Sequence, residues 1–81
     1  MSTDLGAPAP FSETVTPHDS TNFTMGECSY LYVGVTGNLT VVNRSGTQLI
    51  PNVAVGWHPI MCTRVNATGT TASGIVAWRS L

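Results

Sequence analysis

Runs of β-branched and aromatic residues alternate with Gly, Asn and Pro through residues 28–81. The clearest pair of runs, at residues 60–65 and 74–78, flanks a loop of Asn, Gly, Thr and Ser at residues 66–73. This arrangement predicts a β-hairpin, and the side chains of the second run alternate between two faces as a strand requires. A helix is disfavoured here, because two glycines and several threonines lower helix propensity.

Four further short strands are predicted upstream, at residues 30–35, 39–43, 47–50 and 53–55. The first two would form a second hairpin around residues 36–38, because Gly and Asn tolerate the positive φ of a tight turn. A turn at residues 44–46 leads into the third strand, which Pro51 and Asn52 are expected to end, and residues 56–59 are typical of a corner. About six short strands at this spacing predict an all-β fold, either a small antiparallel β-sandwich or a partly open barrel.

The first 27 residues differ in kind from the rest of the chain. They contain three prolines, many Ser and Thr residues and no apolar run. This composition predicts an extended N-terminal arm at residues 1–27, followed by a compact β domain at residues 28–81. The charges divide in the same way, with all four acidic residues in the arm and all three arginines in the β domain.

Both phenylalanines of the chain, Phe11 and Phe23, lie in this arm. One interpretation is a solvated terminus in which the two rings are incidental. The other is an arm that anchors Phe11 and Phe23 in pockets of neighbouring subunits and brings acidic residues such as Glu13 and Asp19 near their arginines. We prefer the second interpretation, because a purely solvated tail has no need of two large aromatic side chains.

Charged residues make up only 9% of the 81 residues, and lysine is absent. Ordinary soluble domains carry about a quarter charged residues, so this surface suits a subunit packed among copies of itself better than a free monomer. The β domain also has no lysine or acid with which to protect an exposed strand edge. We therefore expect its edges to pair between subunits or to be covered by the arm of a neighbour.

Residues that could carry catalysis are few. His18, Asp19 and Ser20 are the residue types of a serine triad, but contiguous residues cannot adopt triad geometry. The β domain has no carboxylate to act as a general base, and the chain has no phosphate-binding, dinucleotide-binding or zinc-protease motif. Cys28 and Cys62 lack metal-type spacing and are expected to be reduced and half-buried. We expect no enzymatic activity, no cofactor and no metal.

Contacts with nucleic acid or membrane are also disfavoured. The three arginines of the β domain form no basic cluster, so they offer little affinity for phosphate. No window approaches the ~18 apolar residues of a membrane span, and the first residues lack the basic and apolar regions of a signal peptide. The sequence predicts neither a nucleic-acid partner nor a membrane.

A family resemblance covers residues 11–78. Its most specific piece is RVNATGTT at residues 64–71, within RVNATGTTASGIVAW. This is preceded by YLYVGVTGNLTVVNRSGTQLIPNVAVGWHPIM and, further upstream, by FSETVTPHDSTNFT. Together these stretches resemble the small head-spike base proteins of gene transfer agents and of related tailed phages of marine bacteria.

The resemblance implies a non-enzymatic virion structural protein on the outer face of an icosahedral phage-like head. Such a protein would form an oligomeric base at the capsid vertices, on which a spike or fibre is mounted. The implied partners are the major capsid protein, a spike or fibre protein, and copies of the chain itself, with a pentamer favoured and a trimer as the alternative. The implied location is the capsid surface of the virion, after synthesis in the bacterial host cytoplasm.

On this interpretation the candidates for subunit or partner contact are Arg64, Asn66, Thr68, Trp57 and Trp78. Three other functions stay open. A decoration (cement) protein would clamp capsomers elsewhere on the shell, with threefold rather than fivefold symmetry. A carbohydrate-binding module would stack sugars on Trp57 and Trp78. A tail or adaptor component is the last alternative.

Overall fold

The computed structural model describes residues 10–80, and all regular secondary structure in that range is β-strand. Seven strands follow one another along the chain: β1 (Phe11–Thr14), β2 (Tyr30–Val33), β3 (Gly37–Asn43), β4 (Gly46–Val53), β5 (Gly56–His58), β6 (Arg64–Val65) and β7 (Val76–Arg79). They form a four-stranded antiparallel sheet in the order β1-β7-β2-β5 and a three-stranded antiparallel sheet in the order β4-β3-β6. The predicted all-β class and β-sandwich are confirmed, with seven strands instead of about six.

The core is built from alternate residues of the strands. In β2, Leu31 and Val33 are buried, whereas Tyr30 and Tyr32 are half-buried, which is the pattern of a strand with one face inward. The buried apolar residues are Val15, Phe23, Cys28, Leu31, Val33, Leu39, Val41, Val53, Cys62, Val65, Ala72, Ile75 and Ala77. Both sheets contribute to this single cluster, so neither has a core of its own.

The predicted turn at residues 44–46 joins β3 to β4 in a hairpin. Gly46 takes a φ of +107°, a conformation that glycine adopts without steric cost. The side-chain oxygen of Asn43 accepts a 2.8 Å hydrogen bond from the backbone N–H of Ser45 and closes the turn. Within residues 10–80, this is the one pairing of consecutive strands whose position the turn residues alone predicted.

The two hairpins predicted from the sequence do not form. β2 and β3 lie in different sheets, and so do β6 and β7. The chain crosses between the sheets at Gly34 and at Gly74, where the Gly34 N–H lies 3.1 Å from the Gly74 carbonyl oxygen. A Cβ on Gly34 would lie 3.0 Å from that oxygen, so two glycines are needed where the crossings touch. Beside them, Val35 and Ser73 form an isolated antiparallel bridge.

Two smaller predictions between residues 51 and 59 are also wrong. β4 continues through Pro51 and Asn52 to Val53, with Asn52 in the positive-φ region at +53°. The predicted separate strand at residues 53–55 therefore contributes only its first residue, to β4. Gly56–His58, predicted as a corner, forms β5 and pairs with β2, because a cross-strand aromatic contact stabilises this short strand.

Residues 10–27 of the predicted arm pack on the rest of the chain. β1 adds a strand to the four-stranded sheet, with Phe11 opposite Arg79. Val15 and Phe23 are both buried in the core, and their backbone N–H groups donate to carbonyls of the β domain at 2.9 and 2.8 Å. The division at residue 27 stays a prediction, and residues 1–9 and 81 lie outside the described range.

Cys28 and Cys62 are unbridged, and both are fully buried. The expectation that they would be half-buried is wrong. Cys28 lies two residues before β2 and Cys62 two residues before β6, so neither cysteine belongs to a strand. Free Cys packs in the core as a small apolar residue.

Candidate functional site

The outer face of the four-stranded sheet carries an uncharged, aromatic surface. Because Leu31, Val33 and Ala77 face the core, the strand register turns their neighbours outward. The outward residues are Ser12, Thr14, Tyr30, Tyr32, Trp57, Val76 and Trp78. We call this set the aromatic face. It brings together Trp57 and Trp78, two of the residues that the sequence singled out.

Three rings of the aromatic face are in contact. Tyr32 and Trp57 have ring centroids 5.1 Å apart and planes inclined at 65°, an edge-to-face pair. Trp57 and Trp78 have centroids 5.3 Å apart and planes inclined at 58°. Such pairs contribute about 0.5–1.5 kcal/mol beyond their buried area. Trp57 thereby stays fixed although 47% of its surface is exposed.

Trp78 lies deeper than Trp57 and differs from it in chemistry. Its ring is half-buried, and its Nε1 is buried without a hydrogen-bond acceptor among residues 10–80. Buried indole N–H groups normally find a partner. The indole of Trp78 is thus packed into the sheet face, whereas Trp57 is the indole that the aromatic face presents to the outside.

The loop at residues 66–73 covers part of the outer face of the three-stranded sheet, around Thr40, whereas Leu49 on the same face stays 58% exposed. Thr70 Oγ1 accepts a 3.0 Å hydrogen bond from the N–H of Thr40, and the N–H groups of Thr71 and Ala72 donate to the Asn38 carbonyl at 2.9 and 3.0 Å. As a result Thr40 is only 7% exposed although it points away from the core. The loop therefore shields β3 from solvent at Thr40.

Gly69 allows the loop to approach the sheet closely. Its φ is +87°, and a Cβ built on it would lie 2.6 Å from the Thr40 hydroxyl oxygen. Any other residue would therefore meet both backbone strain and a steric clash. The RVNATGTT stretch, which carried the family resemblance, is thus the sequence of this covering loop.

The loop is tied to the arm by a polar cluster of predicted site residues. Asp19 accepts hydrogen bonds from the backbone N–H of Thr68 at 2.9 Å and from its hydroxyl at 2.7 Å. Arg64 donates to Asn66 at 2.8 Å and to Asn22 at 3.3 Å. The hydrogen bonds from Thr68 hold the pKa of the Asp19 carboxyl below its ordinary value of 3.8.

The predicted anchoring residues of the arm fall into different environments. Glu13 accepts hydrogen bonds from the backbone N–H groups of Thr24 and Met25, at 3.1 and 3.2 Å, and so folds the arm onto itself. Phe23 is buried in the core of its own chain, which removes it as an anchor for a neighbour in this arrangement. Phe11 is 47% exposed and is the aromatic side chain of the arm that remains available.

The contact residues proposed from sequence therefore separate into two surfaces. Trp57 and Trp78 lie on the aromatic face, whereas Arg64, Asn66 and Thr68 lie beside the loop that covers the other sheet. Sequence reasoning missed the part of Tyr32 in the aromatic face. The alternation in YLYV was the signal that could have found it, since an aromatic residue at every second position marks the outer face of a strand.

Two of the strands at sheet edges are uncharged. Within residues 10–80, β4 pairs only with β3, and it is exposed over most of its eight residues, with Leu49 58% exposed. β5 lies at one edge of the four-stranded sheet, opposite β1 with its Glu13, and carries Trp57. Neither β4 nor β5 contains a lysine, an acid or an arginine. Uncharged open edges offer unpaired backbone groups to another chain.

Chemistry other than binding finds little support in the described part of the chain. Within residues 10–80 no group of three or more His, Cys, Asp or Glu side chains could hold a metal ion. His58 is engaged by its Nε2, which lies 2.7 Å from the Ala54 carbonyl oxygen. The same residues contain no helix long and apolar enough to cross a membrane. The arrangement presents surfaces for contact.

Comparison with known proteins gives one informative result. No protein-family model and no curated protein sequence matches the chain. A solved structure does match: a chain in the capsid of a native gene transfer agent (GTA) particle computed with C5 symmetry. The two share 33% sequence identity with a TM-score of 0.79, over 96% of this chain and 92% of that chain.

Identity at this level over nearly the whole of both chains, together with the shared fold, is evidence of common descent. The chain belongs to the family of this GTA capsid-particle protein.

Proposed function

We propose that this protein is a non-enzymatic virion structural protein on the outer face of an icosahedral phage-like head, where it forms an oligomeric head-spike base at the capsid vertices. The observation that carries the proposal is the 33% identity over 92% of a chain from a GTA capsid particle. That particle was computed with C5 symmetry, which accommodates a ring of five copies around a vertex. On this proposal we favour a pentamer over a trimer.

The open edges are assigned to contacts between copies. β4 and β5 both end their sheets without a charge that would oppose pairing. Strand addition at such an edge forms backbone hydrogen bonds between chains. In a closed ring each subunit offers one patch to its neighbour on one side and a different patch to the other, so a molecule with two open edges suits this arrangement.

The aromatic face is assigned to the mounted spike or fibre protein. It combines an exposed, immobilised Trp57 with Tyr32 beside it and carries no charged residue. Trp and Tyr are enriched among the residues that dominate binding energy, and charged residues are depleted from the centres of interfaces. A rigid aromatic surface also loses little conformational entropy on binding.

The capsid contact is assigned to the arm, with Phe11 as its exposed apolar residue. Glu13 and Asp19 contribute by fixing the course of the arm through their hydrogen bonds to Thr24, Met25 and Thr68. The major capsid protein would bind β1, the edge strand of the four-stranded sheet that carries Phe11. The protein would be made in the bacterial host cytoplasm and reside on the capsid surface of the virion.

Electron cryomicroscopy of particles made with and without the gene tests the proposal directly. The expected difference density lies at the fivefold vertices, outside the shell, in rings of five copies. Density over threefold positions or capsomer centres would instead support the decoration (cement) alternative. Density on the tail, or none anywhere on the particle, would refute the proposal.

The arm assignment has its own test. Removing residues 1–27 is unsuitable, because β1, Val15 and Phe23 belong to the fold. Phe11→Ser alters an exposed side chain instead and should lower the capsid occupancy while the protein stays folded. Val55→Ser, at a residue 54% exposed and outside the arm, is the matched control. Equal occupancy of the two variants would contradict the assignment.

A carbohydrate-binding role is the second candidate, because Trp57 is half-exposed beside Tyr32, and Ser12 and Thr14, at the opposite edge of the same sheet face, carry neutral hydroxyl groups. Aromatic rings and hydroxyl groups without charge suit a neutral sugar. Host cell envelope polysaccharide added to the purified protein would quench tryptophan fluorescence if this role applies. If the tryptophan fluorescence does not change while the protein still binds the particle, the result supports the structural role and contradicts carbohydrate binding.

A further inference from the structure

The two cysteines of the chain meet in the core, between the sheets. Their sulfur atoms lie 3.5 Å apart, although the residues are 34 positions apart in sequence. Both side chains are 0% exposed. The backbone N–H of Cys28 donates a 2.9 Å hydrogen bond to the carbonyl oxygen of Cys62, so the two residues are also direct backbone neighbours.

We propose that Cys28 and Cys62 form an intramolecular disulfide that links the two sheets when the protein meets a small oxidant such as hydrogen peroxide. A disulfide needs a sulfur–sulfur distance of about 2.0 Å and closely apposed backbones. Closing the present 3.5 Å gap requires side-chain rotation and a small backbone adjustment, and the backbone hydrogen bond already holds the two residues side by side. The reaction needs no other residue as a partner.

The environment of the pair assigns different roles to the two thiols. With Cys62 as hydrogen-bond donor, the S–H···S contact lowers the pKa of Cys28. The same contact, reinforced by burial, raises the pKa of Cys62. Cys28 is therefore the thiol that ionises first, and thiolates are the species that oxidants attack.

The oxidation proceeds in two balanced steps. The Cys28 thiolate attacks one oxygen of hydrogen peroxide, the O–O bond breaks, and a sulfenic acid and hydroxide are formed; the hydroxide takes up the proton that the Cys28 thiol released and becomes water. The Cys62 sulfur then attacks the Cys28 sulfur, the S–O bond breaks, and the thiol proton leaves with the hydroxyl group as water. Overall two thiols and one peroxide give one disulfide and two water molecules. Burial of both sulfurs favours a small oxidant over a bulky disulfide.

We expect the disulfide to form once the protein has left the reducing cytoplasm. This setting rests on the proposed function, because a virion component passes to an oxidising medium when the particle is released. Bond formation itself does not depend on that role. The link would join the segment before β2 to the segment before β6, so the two layers of the sandwich could no longer separate independently.

Peptide mapping of the purified chain tests the bond. The chain has three arginines and no lysine, so trypsin places Cys28 in residues 1–44 and Cys62 in residues 45–64. Folded protein is treated with hydrogen peroxide, unfolded in an alkylating agent and digested without reductant. The expected product is a disulfide-linked pair of these two peptides, about 2 Da lighter than their sum, which reductant separates.

The chain supplies its own positive control for the oxidant. Met61 is 53% exposed and should gain one oxygen, about 16 Da, under the same conditions. Oxidised Met61 with both cysteines still open to alkylation would overturn the proposal. A disulfide between two chains, or sulfinic acid at Cys28 without a link, would overturn it as well.

Thermal unfolding gives a second readout. The oxidised protein should unfold at a temperature higher by roughly 10 °C, because the bond restricts the unfolded chain. Cys62→Ala is the matched variant and should show no rise on oxidation. If that variant does not fold, the peptide map of the natural sequence decides alone. A failure of the bond to form leaves the vertex density untouched, so this result and the test of the proposed function are independent.

Discussion

The outer faces of the two sheets differ in how much of each the chain itself covers. On the four-stranded sheet, Trp57 packs against the rings of Tyr32 and Trp78 but keeps 47% of its surface exposed. On the three-stranded sheet, the outward Thr40 is 7% exposed because the loop at residues 66–73 lies against it, although Leu49 on the same face is 58% exposed. The loop thus shields one part of the three-stranded sheet, whereas the rings of the aromatic face stay accessible. We therefore connect the aromatic face with the proposed partner contact.

The inner faces of the two sheets share one core and should contribute similarly to stability. Replacing a large core side chain on each sheet by alanine tests this expectation. Leu31 in the four-stranded sheet and Leu39 in the three-stranded sheet are both 0% exposed. Leu31→Ala and Leu39→Ala should each lower the free energy of unfolding by about 2–5 kcal/mol, because each leaves a cavity in the one shared core. Urea denaturation measures both. A loss confined to one variant would mean that the sheets are stabilised separately.

The covering loop is tested by two glycines with nearly the same backbone conformation. Gly69 has a φ of +87° and its added Cβ would meet Thr40, whereas Gly26 has a φ of +89° and open space around it. Both alanine variants carry the backbone cost of about 1–2 kcal/mol, and Gly69→Ala should lose about 1–2 kcal/mol more through the clash.

The difference between these two variants in urea denaturation is the quantity to measure. It isolates the close approach of the loop from the cost of positive φ. Equal losses at Gly69 and Gly26 would mean that the loop yields without cost, and that the three-stranded sheet is less firmly covered than its geometry indicates.

The open face is tested by Trp57→Ala, with Leu49→Ala as its partner on the other sheet. Trp57→Ala should lower the free energy of unfolding by about 1–3 kcal/mol, because it removes two ring contacts, to Tyr32 and to Trp78. It should also strongly reduce attachment of the spike or fibre, measured by pull-down with particles. Leu49 is 58% exposed, and Leu49→Ala should leave attachment unchanged. The reverse result would assign the partner to the three-stranded sheet.

The smallest expected effect is a pH dependence of the stability that Asp19 contributes through its hydrogen bonds with Thr68 in the loop. The pKa of Asp19 is lowered in the folded protein by the hydrogen bonds from Thr68. Its contribution to stability is therefore present above the unfolded value of 3.8 and is lost as the pH falls through the lower folded value. Asp19→Asn should be less stable than the natural protein at neutral pH, and the gap should close below that range.

Denaturation curves between neutral and acid pH measure this gap. Glu27→Gln serves for comparison, since Glu27 pairs with Arg44 at 2.8 Å and does not touch the loop. A constant gap between the natural protein and Asp19→Asn across the range would contradict the assignment to the carboxylate.

The sequence was sufficient for the fold class and for one hairpin, and the reasons are local. Alternation in YLYV and the turn residues at 44–46 are properties of neighbouring positions. The pairing of β2 with β5 and β7 depends on residues that are far apart in sequence. Gly34 and Gly74 were the available signals for the crossings, because a glycine within an apolar run often marks a close backbone approach.

The candidate site was predicted in part. Trp57 and Trp78 were named from residue type, and the structure brings them together. That Phe23 would turn into its own core could not be read from the sequence, because an aromatic residue in a polar arm has the same local pattern whether it binds its own chain or a neighbour. The thiol contact was hidden for a similar reason, since 34 residues separate the cysteines.

The pairing of Phe11 with Arg79 has a practical consequence for engineering particles that display foreign sequences. A tag or cargo fused after β7 would emerge beside Phe11 and obstruct whatever that side chain contacts. The Arg44-Ser45 turn lies on the other sheet and is exposed. An epitope inserted after Ser45 would project outward from this turn, away from Phe11 and the tryptophans, if Arg44 is kept to preserve its ion pair with Glu27.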